Sequence, residues 1–473
     1  MITRLAAVLN RSATAGWWVL AGLCITFVAE SVVIGIGRST SDSPSYVRLA
    51  LNFQQSGVIE FEAWREYGYQ GVIFLLSRVL PWQTEAGLMR WMSGLQVAAY
   101  VGLFAGFVAV AARSGGPWLA ALVAVPFAID PFNALWVAQV TSEAPAELMA
   151  LSSVMCLLWW CRSQRGCALV LAALLAGLIP LFRSADLAVP FGAAVGVFVW
   201  LIWKERLRRL SVAIGLVALL IGPTFIFCAA QQYRTGFFGL TARGPDQVAS
   251  RFIILADPDK VLASGVAPDL VEKIFRPIYR WWNPLAGQRG ILQPGSPEHF
   301  YPVTRGRQWL EAGAPVLEQV VAGYLRANGR PVTEYTVAAF SNSLAPMAFR
   351  ADPGPILVSM ALIAWDFARL PFVFNYWHES RAWIYIWPLL WIGLLVYIWR
   401  HGRGSSRVMS VTAMAIVMLP AYWVSISMGS PYHPRYATHL YLVVTMTLFT
   451  AALMAMRGEP TVPGQGPDHA SGS

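Results

Sequence analysis

The sequence predicts an all-α polytopic membrane protein with about ten transmembrane helices. Three observations predict it. The chain is 56% hydrophobic and 13% charged, with a mean hydropathy of +0.52, whereas a soluble domain carries roughly twice that charged fraction. Apolar runs recur that are long enough for a bilayer core of about 30 Å, which takes ~20 helical residues. Arginine and lysine gather in short clusters between those runs, the pattern of cytoplasmic loops facing anionic lipid. That clustering accounts for the net charge of +10 without a nucleic-acid partner. The many aromatic residues read as interfacial belts and packing, not as a base-stacking platform.

The candidate spans run Trp17–Ile36, Leu88–Ala112, Trp118–Asp130, Ala144–Trp160, Ala168–Phe182, Leu187–Trp203, Leu210–Ala229, Ala382–Trp399, Val408–Met428 and Thr438–Met456. The first is longer than a signal-peptide core and lacks a convincing cleavage site, so it is expected to be retained. The third is the shortest. Cys24, Cys156, Cys161, Cys167 and Cys228 all fall inside or at the ends of spans, which indicates neither a disulfide framework nor a zinc-like spacing.

Orientation follows from the basic residues. With a cytoplasmic N-terminus, the inside segments hold Arg4 and Arg11, Arg113, Arg162 and Arg165, Lys204 to Arg209, Arg400 to Arg407, and Arg457. The short outside turns hold only Arg183 and Arg435. This asymmetry fits the positive-inside rule. It also makes the apolar stretch Pro355–Trp377, which contains Asp366 and Arg369, an interfacial helix and not a crossing one, since a crossing would put Arg400, Arg403 and Arg407 outside. The organisation is then an N-terminal transmembrane module (14–230) with its first outside loop at 37–84, an extracytoplasmic region (231–381), C-terminal transmembrane helices (382–456) and a polar tail (457–473) expected to be disordered. Arginine is preferred over lysine, as in a GC-rich bacterial genome, so the expected membrane is a bacterial inner membrane.

The residues able to carry chemistry lie on the outside. The first loop reads GRSTSDSPSYVRLALNFQQSG. Ser43 followed by Pro44 starts a helix, and Tyr46, Val47, Ala50 and Leu51 share one face, as an interfacial helix needs. Asp42 stands just ahead of it, beside Arg38. It is either a helix cap or a general base kept ionised by the helix dipole. In TSEAPAELMA, Glu143 lies at the outer end of the fourth span, with Glu147 one turn deeper on the same face. Acids bordering spans are costly and often functional, or else hydrated boundary residues. Arg183 in LIPLFRSADL and Arg435 in SPYHPRYATHLYL stand against the charge bias. Each is a bidentate phosphate ligand, a snorkelling side chain or, for Arg183, a structural partner of Asp186. His433 is an acid/base or ligand candidate, or a solvated loop residue. Phosphate-binding glycine loops and H-E-x-x-H patterns are absent from the sequence.

A first span, an outside Asp in SDSPSYVRLA, interfacial helices, an acid in TSEAP, a cation in LFRSADL and a final-span RY in HPRYATHLYL resemble the GT-C glycosyltransferase superfamily. FFGLTARGPDQVASRFIILAD is similar to phospholipid-carrier-dependent members of the protein-mannosyltransferase and lipid A aminoarabinose-transferase type. The resemblance covers most of residues 14–260 and 430–456. It implies a GT-C-like fold, a polyprenyl-phosphate-linked sugar donor, an extracytoplasmic acceptor and a membrane-lipid setting. Carried over by position, Asp42 corresponds to the catalytic base and Glu143 to the second acid near the acceptor. Arg183 and Arg435 are the candidates for the donor phosphate, and Arg38, Tyr46, Tyr67, His433 and Tyr436 are further candidate substrate contacts. No cofactor is required by this reading, and a divalent metal is compatible with it. Many relatives carry paired acids in the first loop, whereas here Ser43 follows Asp42.

A transporter or lipid flippase is the competing reading. Transporters place charges and broken helices at the bilayer midplane, often in repeated halves, whereas here the acids and arginines gather at one surface and no repeat is found. A ligase transferring a whole glycan from a lipid carrier is the third.

Overall fold

Within hydrocarbon only a helix or a closed barrel pairs all its own backbone groups, so apolar runs of this length are expected to fold as helices. In the computed structural model the described residues are 13–33, 43–57, 63, 65, 67–129, 137–202, 210–288, 307–369, 386–429 and 438–457. Among them the chain is helical, with no strand. In order come α1 (Ala13–Val33), two short helices α2 (Ser43–Ser56) and α3 (Tyr67–Ser77), α4 (Glu85–Ile129), α5 (Glu143–Ser163), α6 (Gly166–Phe182), α7 (Ala188–Trp200) and α8 (Leu210–Thr235). The polar region supplies α9 (Arg243–Leu255), α10 (Pro258–Ala263), α11 (Arg276–Gln288), α12 (Arg307–Ala327), α13 (Glu334–Ala351) and α14 (Pro353–Arg369). The chain closes with α15 (Ile386–Gly402), α16 (Ser406–Gly429) and α17 (Thr438–Arg457).

Four helices are long and apolar enough to cross a membrane: Glu85–Ala128, Glu143–Ser163, Leu210–Thr235 and Ser406–Val424. Shorter apolar helices occupy Thr14–Ala29, Gly166–Phe182, Ser184–Trp200, Leu389–Gly402 and Leu440–Met456. A straight helix as long as α4 would run roughly 68 Å, more than twice a bilayer core. It does not run straight. Gly115 and Gly116 leave helical geometry, and the φ of +77° at Gly116 is one that a Cβ would oppose. The chain doubles back there, because Phe127 beyond the turn packs on Phe104 and Phe107 before it, at centroid separations of 5.3 and 6.1 Å. Phe27 of α1 stacks into the same group, 4.3 Å from Phe104.

The apolar core joins α1, α4 to α8 and α15 to α17. Its most extensive helix pair is α7 on α16. Gly192 and Gly196, one G-x-x-x-G step, lie against the backbone of α16, where a Cβ at either would come to 2.9 Å from the carbonyl oxygens of Met414 and Ser410 respectively. Small residues at this spacing let two helices approach to backbone contact. On α17 the buried hydroxyls of Thr445, Thr447 and Thr450 donate to the carbonyls four residues back, at 2.7, 2.8 and 2.9 Å, so they cost little in an apolar core.

The polar region has a core of its own, built by α9 to α14 around Ile253, Val271, Phe275, Leu317, Val321 and Leu344. Arg251 is fully buried there and donates to the Ser359 hydroxyl of α14 at 2.8 Å. Thr333 and Thr336 form a capping box that starts α13, and Lys260 pairs with Asp352 at 2.9 Å. Residues 355–369 of the stretch expected to lie along the interface belong to α14, which packs against α13 and α16, and the rest of that stretch lies outside the described residues. The side chains of Asp366 and Arg369 lie outside the described residues.

Candidate functional site

Arg183 ends α6. Its backbone is extended (φ −153°, ψ 108°), and a 3-10 turn, Ser184–Leu187, follows. That turn brings Asp186 back, its N–H donating to the Arg183 carbonyl at 3.0 Å. The two side chains then meet, Nη1 to Oδ1 at 3.5 Å, with residue exposures of 3% and 1%. The structural pairing of Arg183 with Asp186 is therefore present. The pair lies within electrostatic reach of the hydroxyl of Tyr422, buried on α16.

Glu143 opens α5, 6% exposed, with Glu147 buried one turn further on. An acid in the first turn complements the positive end of the helix. Glu143 lies within electrostatic reach of two tyrosine hydroxyls, those of Tyr422 and of Tyr69 on α3. Tyr69 is itself fully buried. Burial pushes its hydroxyl well above the ordinary tyrosine range, and the Glu143 charge adds to it. The Gln96 carboxamide satisfies all its neighbours when its oxygen accepts from Tyr69 at 2.8 Å and its nitrogen donates to the carbonyls of Val137 and Gln139 at 3.1 Å each. Turned the other way, its nitrogen would face the Tyr69 hydroxyl and its oxygen would meet two carbonyls. Gln96 thereby fastens α3 and α4 to the strap that leads into Glu143.

The structure thus brings together two of the sequence candidates, Glu143 and Arg183. They share one buried group with Asp186, Tyr69 and Tyr422, drawn from α3, α5, the turn before α7, and α16. Tyr46 reaches this group through a ring contact with Tyr69, 5.0 Å between centroids, and the Arg65 guanidinium lies 5.3 Å from the centre of the Tyr46 ring. It is buried in the small core between α2, α3 and the start of α4. Tyr67 points elsewhere. Its ring packs 5.3 Å from Phe227 of α8, and its hydroxyl bonds that of Tyr335 on α13. Asp42, Arg38, His433, Arg435 and Tyr436 lie outside the described residues.

Comparisons with protein-family models, with curated proteins and with solved structures give no match. The chemistry must be read from the residues.

Tyr69, Gln96 and Tyr422 were not among the sequence candidates. A tyrosine inside an apolar helix looks like packing or a belt residue, and only the fold reveals that two of them flank one acid. Among the described residues no three His, Cys, Asp or Glu side chains are placed to hold a metal ion together. What the group offers is a carboxylate, a guanidinium with geometry for two acceptor oxygens, and two neutral hydroxyl donors in a dry setting, where charge interactions are strengthened.

Proposed function

We propose that this chain is a membrane glycosyltransferase that moves a sugar from a polyprenyl-phosphate donor to an acceptor hydroxyl on the extracytoplasmic side. The reading takes the apolar helices as about ten spans in a GT-C-like arrangement within a bacterial inner membrane. The observation that carries it is that Glu143 and Arg183, both buried, act electrostatically on the same buried hydroxyl, that of Tyr422. A glycosyl phosphate already holds its leaving group, so the enzyme must accept a proton from the acceptor and stabilise a departing phosphate. Asp42 is assigned the proton. Arg183 is assigned the phosphate, and Arg435 stands with it as the second cation. Glu143 orients the acceptor, and Tyr69 and Tyr422 hold Glu143 in place. Arg38, His433 and Tyr436 remain the surrounding substrate contacts, whereas Tyr67 points away from the group and Tyr46 is buried in the small core beside it.

The test is transfer of labelled sugar from a polyprenyl-phosphate donor by purified, folded protein. Asp42→Asn is expected to bind donor normally and to lose transfer by roughly 100-fold or more. An amide caps a helix about as well as an acid, so near-normal turnover in this variant would end the catalytic assignment.

A second reading is transport or lipid flipping, which the burial of Glu143, Glu147, Arg183 and Asp186 among helices favours, since intramembrane ionisable groups often mark ion or substrate pathways. Proteoliposomes separate the two. Transfer without vectorial movement of the lipid-linked sugar supports the enzyme, and movement without transfer supports the transporter.

A further inference from the structure

A partly open cavity of about 70 Å³ lies between α5, α6, α7, α8 and α16, at the end of these helices opposite to Glu143 and Arg183. Along α16, Arg407 at its mouth is separated from Tyr422 by about 22 Å of helix. Ala172, Ala173 and Ala176 make the space, because none has a side chain long enough to fill it. Its walls are almost wholly apolar. An apolar cavity does not hold ordered water, and an empty one forfeits the dispersion contacts of its lining. In a bilayer the available filler is a hydrocarbon chain.

Two polar features give the filler a head group. Arg407 is the one charged residue among the described residues that line the cavity, and its guanidinium lies 5.4 Å from the ring centre of Trp160, also in the lining. An Arg stacked on an interfacial Trp is the arrangement expected at head-group level. Ser410, one turn deeper and 8% exposed, lines the same cavity with a buried hydroxyl that has no hydrogen-bond partner among the described residues.

We infer that this cavity binds one chain of an anionic membrane lipid whose phosphate pairs with Arg407 and is reached by the Ser410 hydroxyl. The site is separate from the proposed transfer chemistry and stands whether or not that reading holds. The stacked cation selects a negative head group over a zwitterionic one, and the small-residue walls select a slim chain.

The test uses the full chain, stripped of co-purified lipid, and three probes. These are phosphatidylglycerol, phosphatidylcholine with the same chains, and glycerol phosphate without chains. Retention by native mass spectrometry is expected to favour phosphatidylglycerol by about tenfold over phosphatidylcholine, with glycerol phosphate unable to compete. Arg407→Gln should erase that preference, while Arg162→Gln should keep it. Ala173→Phe should block both lipids. Because a bulky variant can misfold, phosphatidylglycerol with a photoreactive group in its chain gives an independent readout on the unaltered protein. Crosslinks on the α6, α7 and α16 segments that line the cavity support the site. Equal retention of the two lipids, an unchanged preference in Arg407→Gln, competition by glycerol phosphate, or crosslinks confined to the Arg183 end would each overturn it.

Discussion

The hydroxyl of Tyr67 on α3 is hydrogen-bonded to the hydroxyl of Tyr335 on α13, tying the first polar loop to the large polar region across most of the sequence. Burial, helped by Tyr335 itself, pushes the Tyr67 hydroxyl well above the ordinary tyrosine range, so Tyr67 stays neutral through neutral and mildly alkaline pH. Tyr335→Phe should lower stability by about 1 kcal/mol. Amide exchange should then speed up in α3, next to Tyr69, and not only in α13. Exchange that rises in α13 alone would mean that the bond does not couple the two regions.

Arg183 and Asp186 neutralise each other in a buried turn. Arg183→Gln leaves Asp186 with its cation gone, a change that typically costs about 3–5 kcal/mol. Asp186→Asn added to it should recover most of that loss, as read from thermal unfolding in detergent. Arg183→Lys keeps the charge and loses the fork, so it should fold and raise the donor KM if the guanidinium holds the donor phosphate. Unchanged KM and kcat would restrict Arg183 to its pairing role.

Asp246 of α9 titrates in an unusual range. Burial pushes its carboxyl up to about 7, with the Ser341 hydroxyl opposing and the Glu318 charge adding. The unfolded chain releases this proton near 3.9. The folded state therefore holds the proton to higher pH, so the group's stabilising contribution is complete below about pH 4 and is lost as pH rises through about 7. Asp246→Asn should gain on the parent by roughly 1–3 kcal/mol between pH 5 and pH 8. A variant that is weaker at both pH values would show that the carboxylate is needed in its charged form.

Gly177 of α6 faces the carbonyl of Leu219 on α8 so closely that a Cβ would overlap it. Gly177→Ala must push the two helices apart, at a cost of roughly 1–3 kcal/mol. Gly215→Ala, on the open face of α8 where a Cβ meets nothing, serves as the control and should be close to neutral or slightly stabilising.

The sequence shows helices better than partnerships. The start of α2 at Ser43 and the break after Ala112 are legible, because Ser-Pro and Gly-Gly-Pro act on their immediate neighbours whatever the fold. Arg183 with Asp186 is legible for the same reason, being three residues apart. Glu143 stands out because an acid beside an apolar run is costly. Tyr422 and Gln96 carry no comparable signal. Each acquires its role from a side chain on another helix, and a periodicity cannot say which helices will meet. The small residues of α6 and α7 are equally ambiguous in one dimension. Gly192 and Gly196 close a contact, whereas Ala172 and Ala173 leave a space.

The order in which the chain is made constrains the site. Tyr422 is synthesised roughly 240 residues after Arg183, a delay of roughly 12–50 seconds at ordinary translation rates. For that interval α7 has no α16 to lie against, and Gly192 and Gly196 expose bare backbone where the partner will dock. The nascent N-terminal half must carry Arg183 through this wait with what it already has. Asp186, made within a second of it, is the companion that needs no later helix. On this view the ion pair is first a device of biogenesis, keeping a charge tolerable during assembly, and the arrival of α16 brings a buried hydroxyl within electrostatic reach of the same guanidinium.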